Sequence, residues 1–247
     1  MKHNEIALHQ KNKRFAQLDK YLGEFVYGGI DGCVTTFAVV AGAVGANLNS
    51  NIILILGFAN LLADGFAMSV GAYLSAKTEK DQYQKHKAIE YWEIENIPEK
   101  EIEEIRQIYR AKGFEGELLE QVVAVIVKDK ERWVDVMMKE ELEMIEDYRS
   151  PFKIGGVTYI TFLLVGLIPL SVYLIDYLIP INSDPFFWTI LCTAFGFIFI
   201  GLLKATMNQT PVFGLFLKLL CLVPVLYLWP ILWVILLSAY YDTNNLN

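Results

Sequence analysis

The stretch that decides the fold is residues 52–94, IILILGFANLLADGFAMSVGAYLSAKTEKDQYQKHKAIEYWEI. Residues 52–74 are long and apolar enough to cross the hydrocarbon core of a bilayer, which takes about 20 residues of helix. Residues 75–94 are strongly charged, yet no glycine or proline lies among them. We therefore predict one long helix that crosses a membrane and continues beyond it as part of a polar domain.

The rest of the chain supports a membrane protein. Hydrophobic residues make up 54% of it, charged residues 20%, and the mean hydropathy is +0.36. A net charge of −7 without a separate basic patch argues against a nucleic-acid partner. Three distant cysteines match neither a zinc site nor a disulfide framework, so we expect them to pack. Four further stretches predict membrane helices: 25–46, 154–178, 186–203 and 215–240.

Basic residues predict the orientation of these five spans. All 21 lysines and arginines lie in the N-terminal segment 1–24, in the insert 75–153, in the loop after the fourth span (Lys204) or near the start of the fifth span (Lys218). By the positive-inside rule, the N-terminus and the insert are cytosolic and the tail 241–247 is outside. The predicted fold is an all-α membrane protein with spans at 25–74 and 154–240 and a cytosolic helical insert between spans two and three.

The insert should contain further helices. Asn96 is the predicted N-cap of a helix with Pro98 in its first turn, and Lys112-Gly113 should end that helix. A third helix is expected over about 115–127. Asp129 should cap a fourth helix that continues to about Tyr148.

The spacing of acidic residues in the insert indicates a metal site, with a solvated, charge-rich helical hairpin as the alternative. Acidic pairs three residues apart share a helix face, and two methionines lie within one turn of a glutamate. Carboxylates combined with a thioether favour Mn²⁺, Fe²⁺ or Zn²⁺ over Mg²⁺ or Ca²⁺. The methionines could instead be core residues between helices. The residues concerned are Glu90, Glu93, Glu101, Glu104, Met137, Met138 and Glu141.

Two acids lie inside predicted spans. Asp31 and Thr35 form a stripe on the first span, while Asn60, Asp64 and Met68 form a stripe on the second. An ionisable side chain in a bilayer costs about 2.5–3.5 kcal/mol, so it usually marks a transport pathway or a binding site. The alternative is a protonated aspartate in a structural hydrogen bond.

Small residues on the first span indicate close helix packing. Gly28-x-x-x-Gly32 is the pattern that lets membrane helices approach each other closely. We expect this face to contact another helix, with the span's own symmetry mate as one candidate.

Four motifs resemble the vacuolar iron transporter (VIT-like) family. They are YGGIDGCVTTFAVVAGAVGA at 27–46, GFANLLADGFAMSVGAYLSAKTEKDQY at 57–83, RWVDVMMKEELEM at 132–144 and GGVTYITFLLVGLIPLSVYL at 155–174. The resemblance implies a homodimer with five spans per subunit. It also implies export of Fe²⁺, and often Mn²⁺, from the cytosol in exchange for protons.

The resemblance also implies roles for particular residues. The seven glutamates and methionines above correspond to the family's cytosolic metal site, and Asp31 and Met68 to its membrane pathway. A family glutamate on span two falls at Asn60, and an acid stands one turn later at Asp64. We add both to the pathway. The implied membrane is a bacterial plasma membrane or a vacuolar one. No cofactor is expected besides the transported ion, with protons and lipid as the other partners.

Two other functions compete with transport. A di-iron carboxylate enzyme needs histidines three residues after glutamates. None of His3, His9 and His86 has that spacing, so we expect no enzyme activity. A metal-binding sensor or scaffold remains the second alternative, although it gives no reason for two acids inside membrane spans.

Overall fold

All regular elements in the part of the chain that the computed structural model describes, residues 20–180 and 183–208, are helical. This confirms the all-α prediction for these residues. The elements in order are α1 (Leu22–Gly45), α2 (Ser50–Asn96), α3 (Pro98–Ala111), α4 (Gly116–Val127), α5 (Lys130–Val136), a π-helical turn (Met137–Glu141), α6 (Pro151–Leu178) and α7 (Pro185–Asn208).

Four of these helices are long and apolar enough to cross a membrane, namely α1, α2, α6 and α7. They correspond to the first four predicted spans, and their bounds differ from the predictions by a few residues. The fifth predicted span, 215–240, lies outside the described residues. The protein is therefore an integral membrane protein whose described part supplies four candidate spans.

The helix α2 runs without a break from the apolar stretch into the charged stretch. This confirms the continuous helix expected from the absence of glycine and proline in residues 75–94. The chain divides into two compact units. We call Leu74–Arg149 the insert unit and the described residues on either side of it the membrane unit.

Glycines allow α1 and α6 to pack closely within the membrane unit. A Cβ added at Gly28 would lie 2.7 Å from the carbonyl oxygen of Thr158, and one at Gly32 would lie 2.4 Å from that of Phe162. On α6, a Cβ at Gly166 would lie 2.8 Å from the Gly32 oxygen. The close approach expected from the glycine pattern is confirmed, and the partner is α6 of the same chain.

The second span, on α2, also packs against α6. The Ser69 hydroxyl donates to the Gly155 carbonyl oxygen at 2.9 Å. Farther along, Leu61 belongs to one buried apolar cluster with Phe162 and Leu170. These contacts hold α2 against α6 through the membrane unit.

The insert unit confirms two of the predicted helix ends. Asp129 caps α5, because its carboxylate accepts from the backbone N–H of Arg132 at 2.9 Å. Lys112 is the C-cap of α3, and Gly113 follows with φ of +93°, a conformation that favours glycine.

Two other predicted ends are wrong. Asn96 does not cap α3 but is the last residue of α2, and its Nδ2 donates to the carbonyl oxygen of Trp92 at 2.7 Å. The helix that starts after Asp129 does not reach Tyr148; α5 ends at Val136, the π-helical turn follows, and residues 142–150 contain no helix. Continuing the helix would place several acids at its C-terminus, where the helix dipole and their mutual repulsion disfavour them.

Candidate metal centre and membrane pathway

Three glutamates from separate segments of the insert unit converge. Glu90 lies on α2, Glu101 on α3, and Glu141 ends the π-helical turn. One carboxylate oxygen from each lies within 4.8 Å of the others. A divalent transition metal could bind all three oxygens after a small inward movement. We call these residues the carboxylate cluster.

Two of these carboxylates are buried without hydrogen-bond partners. Glu90 is 3% exposed and Glu101 is 1% exposed. The Oε2 atom of each is buried and accepts no hydrogen bond from the protein. Buried polar atoms are nearly always satisfied, so such pairs of acceptors are unusual. Oxygens that lack protein donors and face other carboxylates suit a cation as their partner.

The cluster also holds protons near neutral pH. Burial, together with the nearby charges of Glu141 and Glu93, raises the pKa of Glu90 to about 7 from its usual 4.5. Burial and the charges of Glu104 and Glu93 likewise raise the pKa of Glu101 to about 7. The pKa of Glu141 is raised as well, again mainly by burial. A bound cation would relieve this repulsion and displace the protons.

The other two glutamates expected from the sequence border the carboxylate cluster. Glu93 and Glu104 are half-buried, and the charges of both act on Glu90, Glu101 and Glu141. They are not among the three residues whose oxygens converge. They therefore add negative charge around the cluster.

The methionines expected as ligands are fully buried. Met137 and Met138 are both 0% exposed and belong to an apolar core with Ile105 and Trp133. They begin the π-helical turn in which the Leu142 N–H donates to the Met137 carbonyl oxygen at 3.2 Å. Such turns often occur at functional sites. Here the turn joins two buried sulfur side chains to Glu141.

Two acidic residues of the membrane unit, Asp31 and Asp64, lie inside candidate membrane spans. Asp31 on α1 is half-buried, Asp64 on α2 is exposed, and the two carboxylates are within electrostatic reach of each other. Met68 is half-buried and packs against the apolar cluster between α2 and α6.

Two neutral polar side chains on the same stripes have unpartnered atoms. The Nδ2 of Asn60 and the Oγ1 of Thr35 are buried and make no hydrogen bond. The stripes on α1 and α2 therefore carry polar atoms that the described residues leave without partners.

One charged contact at the border of the carboxylate cluster was not predicted from the sequence. Lys100 pairs with Glu104, with 3.0 Å between Nζ and Oε1. The signal was present, because an acid four residues from a lysine on a helix is a common ion pair.

Comparison with known proteins settles the family. The model of the VIT family matches residues 22–222. The chain belongs to the VIT family. The "Vacuolar iron transporter" of Toxoplasma gondii is 42% identical over 166 residues, which cover 66% of this chain and 55% of that protein. That of Plasmodium falciparum is 33% identical over 205 residues, or 79% of this chain and 75% of that protein. "Vacuolar iron transporter 1" of Tulipa gesneriana is 32% identical, covering 81% of this chain and 80% of that protein.

Membership of the VIT family confirms the resemblance inferred from the four motifs. It also assigns the chain to transporters rather than enzymes, in agreement with the prediction from histidine spacing. The matched region includes both the carboxylate cluster and the stripes on α1 and α2.

Proposed function

We propose that this VIT-family protein carries Fe²⁺, and Mn²⁺ as well, out of the cytosol in exchange for protons. The observation that carries the proposal is the pair Asp31 and Asp64, two carboxylates within electrostatic reach of each other on two membrane helices. The names of the relatives, which are iron transporters, support iron as the cargo. Carboxylates with a thioether nearby are also compatible with Zn²⁺.

The membrane stripes would form the pathway. Asp31 and Met68 offer an oxygen and a sulfur ligand, and Asp64 and Asn60 extend the polar stripe along α2. A carboxylate cannot bind a metal ion and a proton at the same oxygen, so protonation from the opposite side would release the ion. This competition is the minimum that exchange requires.

The insert unit would capture the metal. Its carboxylate cluster has buried oxygens without donors, and the surrounding acids attract cations. In the proposed five-span topology this unit lies in the cytosol, as the distribution of basic residues predicts. Metal would bind there first and then reach Asp31. Both a bacterial plasma membrane and a vacuolar membrane fit this direction of transport.

The proposed functional unit is a homodimer. In the single chain Asp64 is exposed on a membrane helix. Exposure to lipid would cost about 2.5–3.5 kcal/mol for a charged aspartate. A second copy that covers α2 at this level would remove that cost and bring two pairs of acids together. The glycine face of α1 is already filled by α6, so other faces would form the contact.

The test is transport in sealed proteoliposomes that contain an internal pH dye. The wild-type protein should take up Fe²⁺ and Mn²⁺ and move protons in the opposite direction. Asp31→Asn should abolish both movements, whereas Asp81→Asn, the same substitution on the exposed part of α2, should leave them unchanged. Undiminished uptake by Asp31→Asn would contradict the pathway. Binding without uptake by the wild type would favour the sensor or scaffold.

A further inference from the structure

One basic side chain, Lys100, lies at the border of the carboxylate cluster. Its Nζ lies 3.0 Å from Oε1 of Glu104, one turn along α3. The ammonium also interacts electrostatically with the three converging carboxylates, those of Glu90, Glu101 and Glu141. A positive charge is therefore already present where a metal cation would be attracted.

Other lysines of the insert unit are paired away from the cluster. Lys112 binds Glu140, with 2.5 Å between Nζ and Oε1, and its Nζ lies 5.2 Å from the centre of the Tyr109 ring. Lys130 pairs with Glu95 and also contacts an aromatic ring, that of Tyr91. These contacts join helices. Lys100 differs from them, because the carboxylates with which it interacts are those of the carboxylate cluster and of the glutamates that border it.

We propose that Lys100 is an internal counter-ion of the metal site, which a divalent cation displaces from Glu104 when it binds. In the metal-free protein its ammonium neutralises part of the charge of the surrounding carboxylates. When the metal binds, the ammonium moves away because the two cations repel each other. This inference rests on the proposed metal-capture function of the insert unit.

The structure allows Lys100 to move away. Its side chain is 65% exposed, and the lysine stem is flexible. An open depression of the surface, lined by residues 96–99 and by Lys100 itself, gives the side chain room to move. The ammonium can leave Glu104 and stay in water without breaking another ion pair, because among the described residues Lys100 pairs with Glu104 alone.

A displaced counter-ion has a consequence for transport. The metal must compete with Lys100 to bind, and the ammonium can return as the metal leaves. Both effects lower the affinity of the site for the metal. A lower affinity suits a site that must release its ion to the membrane pathway. Lys100 thereby sets the affinity of the insert unit without contacting the metal.

This role differs measurably from that of a structural ion pair. If Lys100 only positioned Glu104, its removal would weaken metal binding or leave it unchanged. If Lys100 is a counter-ion, its removal leaves the carboxylates less neutralised. The metal-free protein should then become less stable while its affinity for metal rises.

The experiment titrates Mn²⁺ alone into the full-length protein in detergent at pH 8. Lys100→Gln and Lys100→Met should bind Mn²⁺ about tenfold more tightly than the wild type, from the loss of one positive charge near a doubly charged ion. Lys100→Arg keeps the charge and should stay within about twofold of the wild type. Lys130→Gln, which removes a lysine from elsewhere in the same unit, should not change the affinity.

Thermal unfolding provides the second readout. Without metal, Lys100→Gln should unfold at a lower temperature than the wild type, and added Mn²⁺ should close this gap. Unchanged or weaker Mn²⁺ binding by both neutral variants would overturn the counter-ion role while leaving the metal site intact. Absence of Mn²⁺ binding by the wild type would overturn the metal site and the counter-ion role together.

Discussion

Lowering the pH from 8 to 6 should weaken metal binding by the carboxylate cluster. The pKa values of Glu90 and Glu101 are both raised to about 7, first by burial and then by neighbouring carboxylates. A metal ion needs their ionised forms. Below pH 7 each bound metal must therefore displace protons from these side chains.

The magnitude follows from the pKa values. A shift from 4.5 to about 7 corresponds to about 3 kcal/mol per carboxyl group. Between pH 8 and pH 6, a group with a pKa near 7 changes from mostly ionised to mostly protonated and reduces the affinity about tenfold. Two such groups together give up to about a hundredfold.

The stability of the metal-free protein should rise as the pH falls, whereas its affinity for metal should fall. Because the folded-state pKa lies above the unfolded value of 4.5, the folded protein binds more protons between about pH 4.5 and 7. The stabilisation of the folded, metal-free protein by these extra protons is fully present below pH 4.5. It is lost as the pH rises through about 7. Metal should therefore stabilise the protein most at pH 8, where the protons are gone.

Calorimetry of Mn²⁺ binding to the full-length protein in detergent tests this at pH 6, 7 and 8. Repeating the titration in buffers of different ionisation enthalpy counts the protons released. Glu101→Gln should reduce both the affinity at pH 8 and the pH dependence. Glu117→Gln, an exposed glutamate on α4, should change neither. If the affinity for Mn²⁺ stayed within about twofold from pH 6 to 8, burial and repulsion would not raise the pKa values of Glu90 and Glu101 as described.

Two further predictions concern stability, measured on the full-length protein in detergent. Gly32→Ala should destabilise the α1–α6 contact by about 1–3 kcal/mol, because its Cβ would lie 2.4 Å from the Phe162 oxygen. Gly42→Ala, on the same helix with nothing within 4 Å, should not lower the unfolding temperature, and equal effects would contradict this packing. Asp129→Ala should cost about 1 kcal/mol through loss of the α5 cap, seen as faster amide exchange at Arg132. Unchanged exchange there would show that the cap contributes little.

The spans were predictable because their signal is local. An apolar stretch of sufficient length is helical in a bilayer whatever surrounds it, since lipid offers no partners for the backbone. The continuous α2 followed from the absence of a helix breaker in residues 75–94. The Asp129 cap and the Gly113 helix end were equally local.

The errors arose where two local signals compete. Asn96 is a good capping residue, but α2 extends through it and its side chain bonds back to Trp92. The segment after Met138 has helical spacing, yet its many acids and the π-helical turn end the helix early. Patterns along the chain do not show to which of two neighbouring helices a residue at their junction belongs.

The sequence by itself determined which residues are available for metal binding and that acids lie in the spans. Both depend only on residue type and on spacing along single helices. Only the tertiary structure decided that Glu90, Glu101 and Glu141 converge while Glu93 and Glu104 border them, and that α6 fills the glycine face of α1. These facts depend on how separate helices pack. Packing is set by side chains far apart in the sequence, which no periodicity within one helix records.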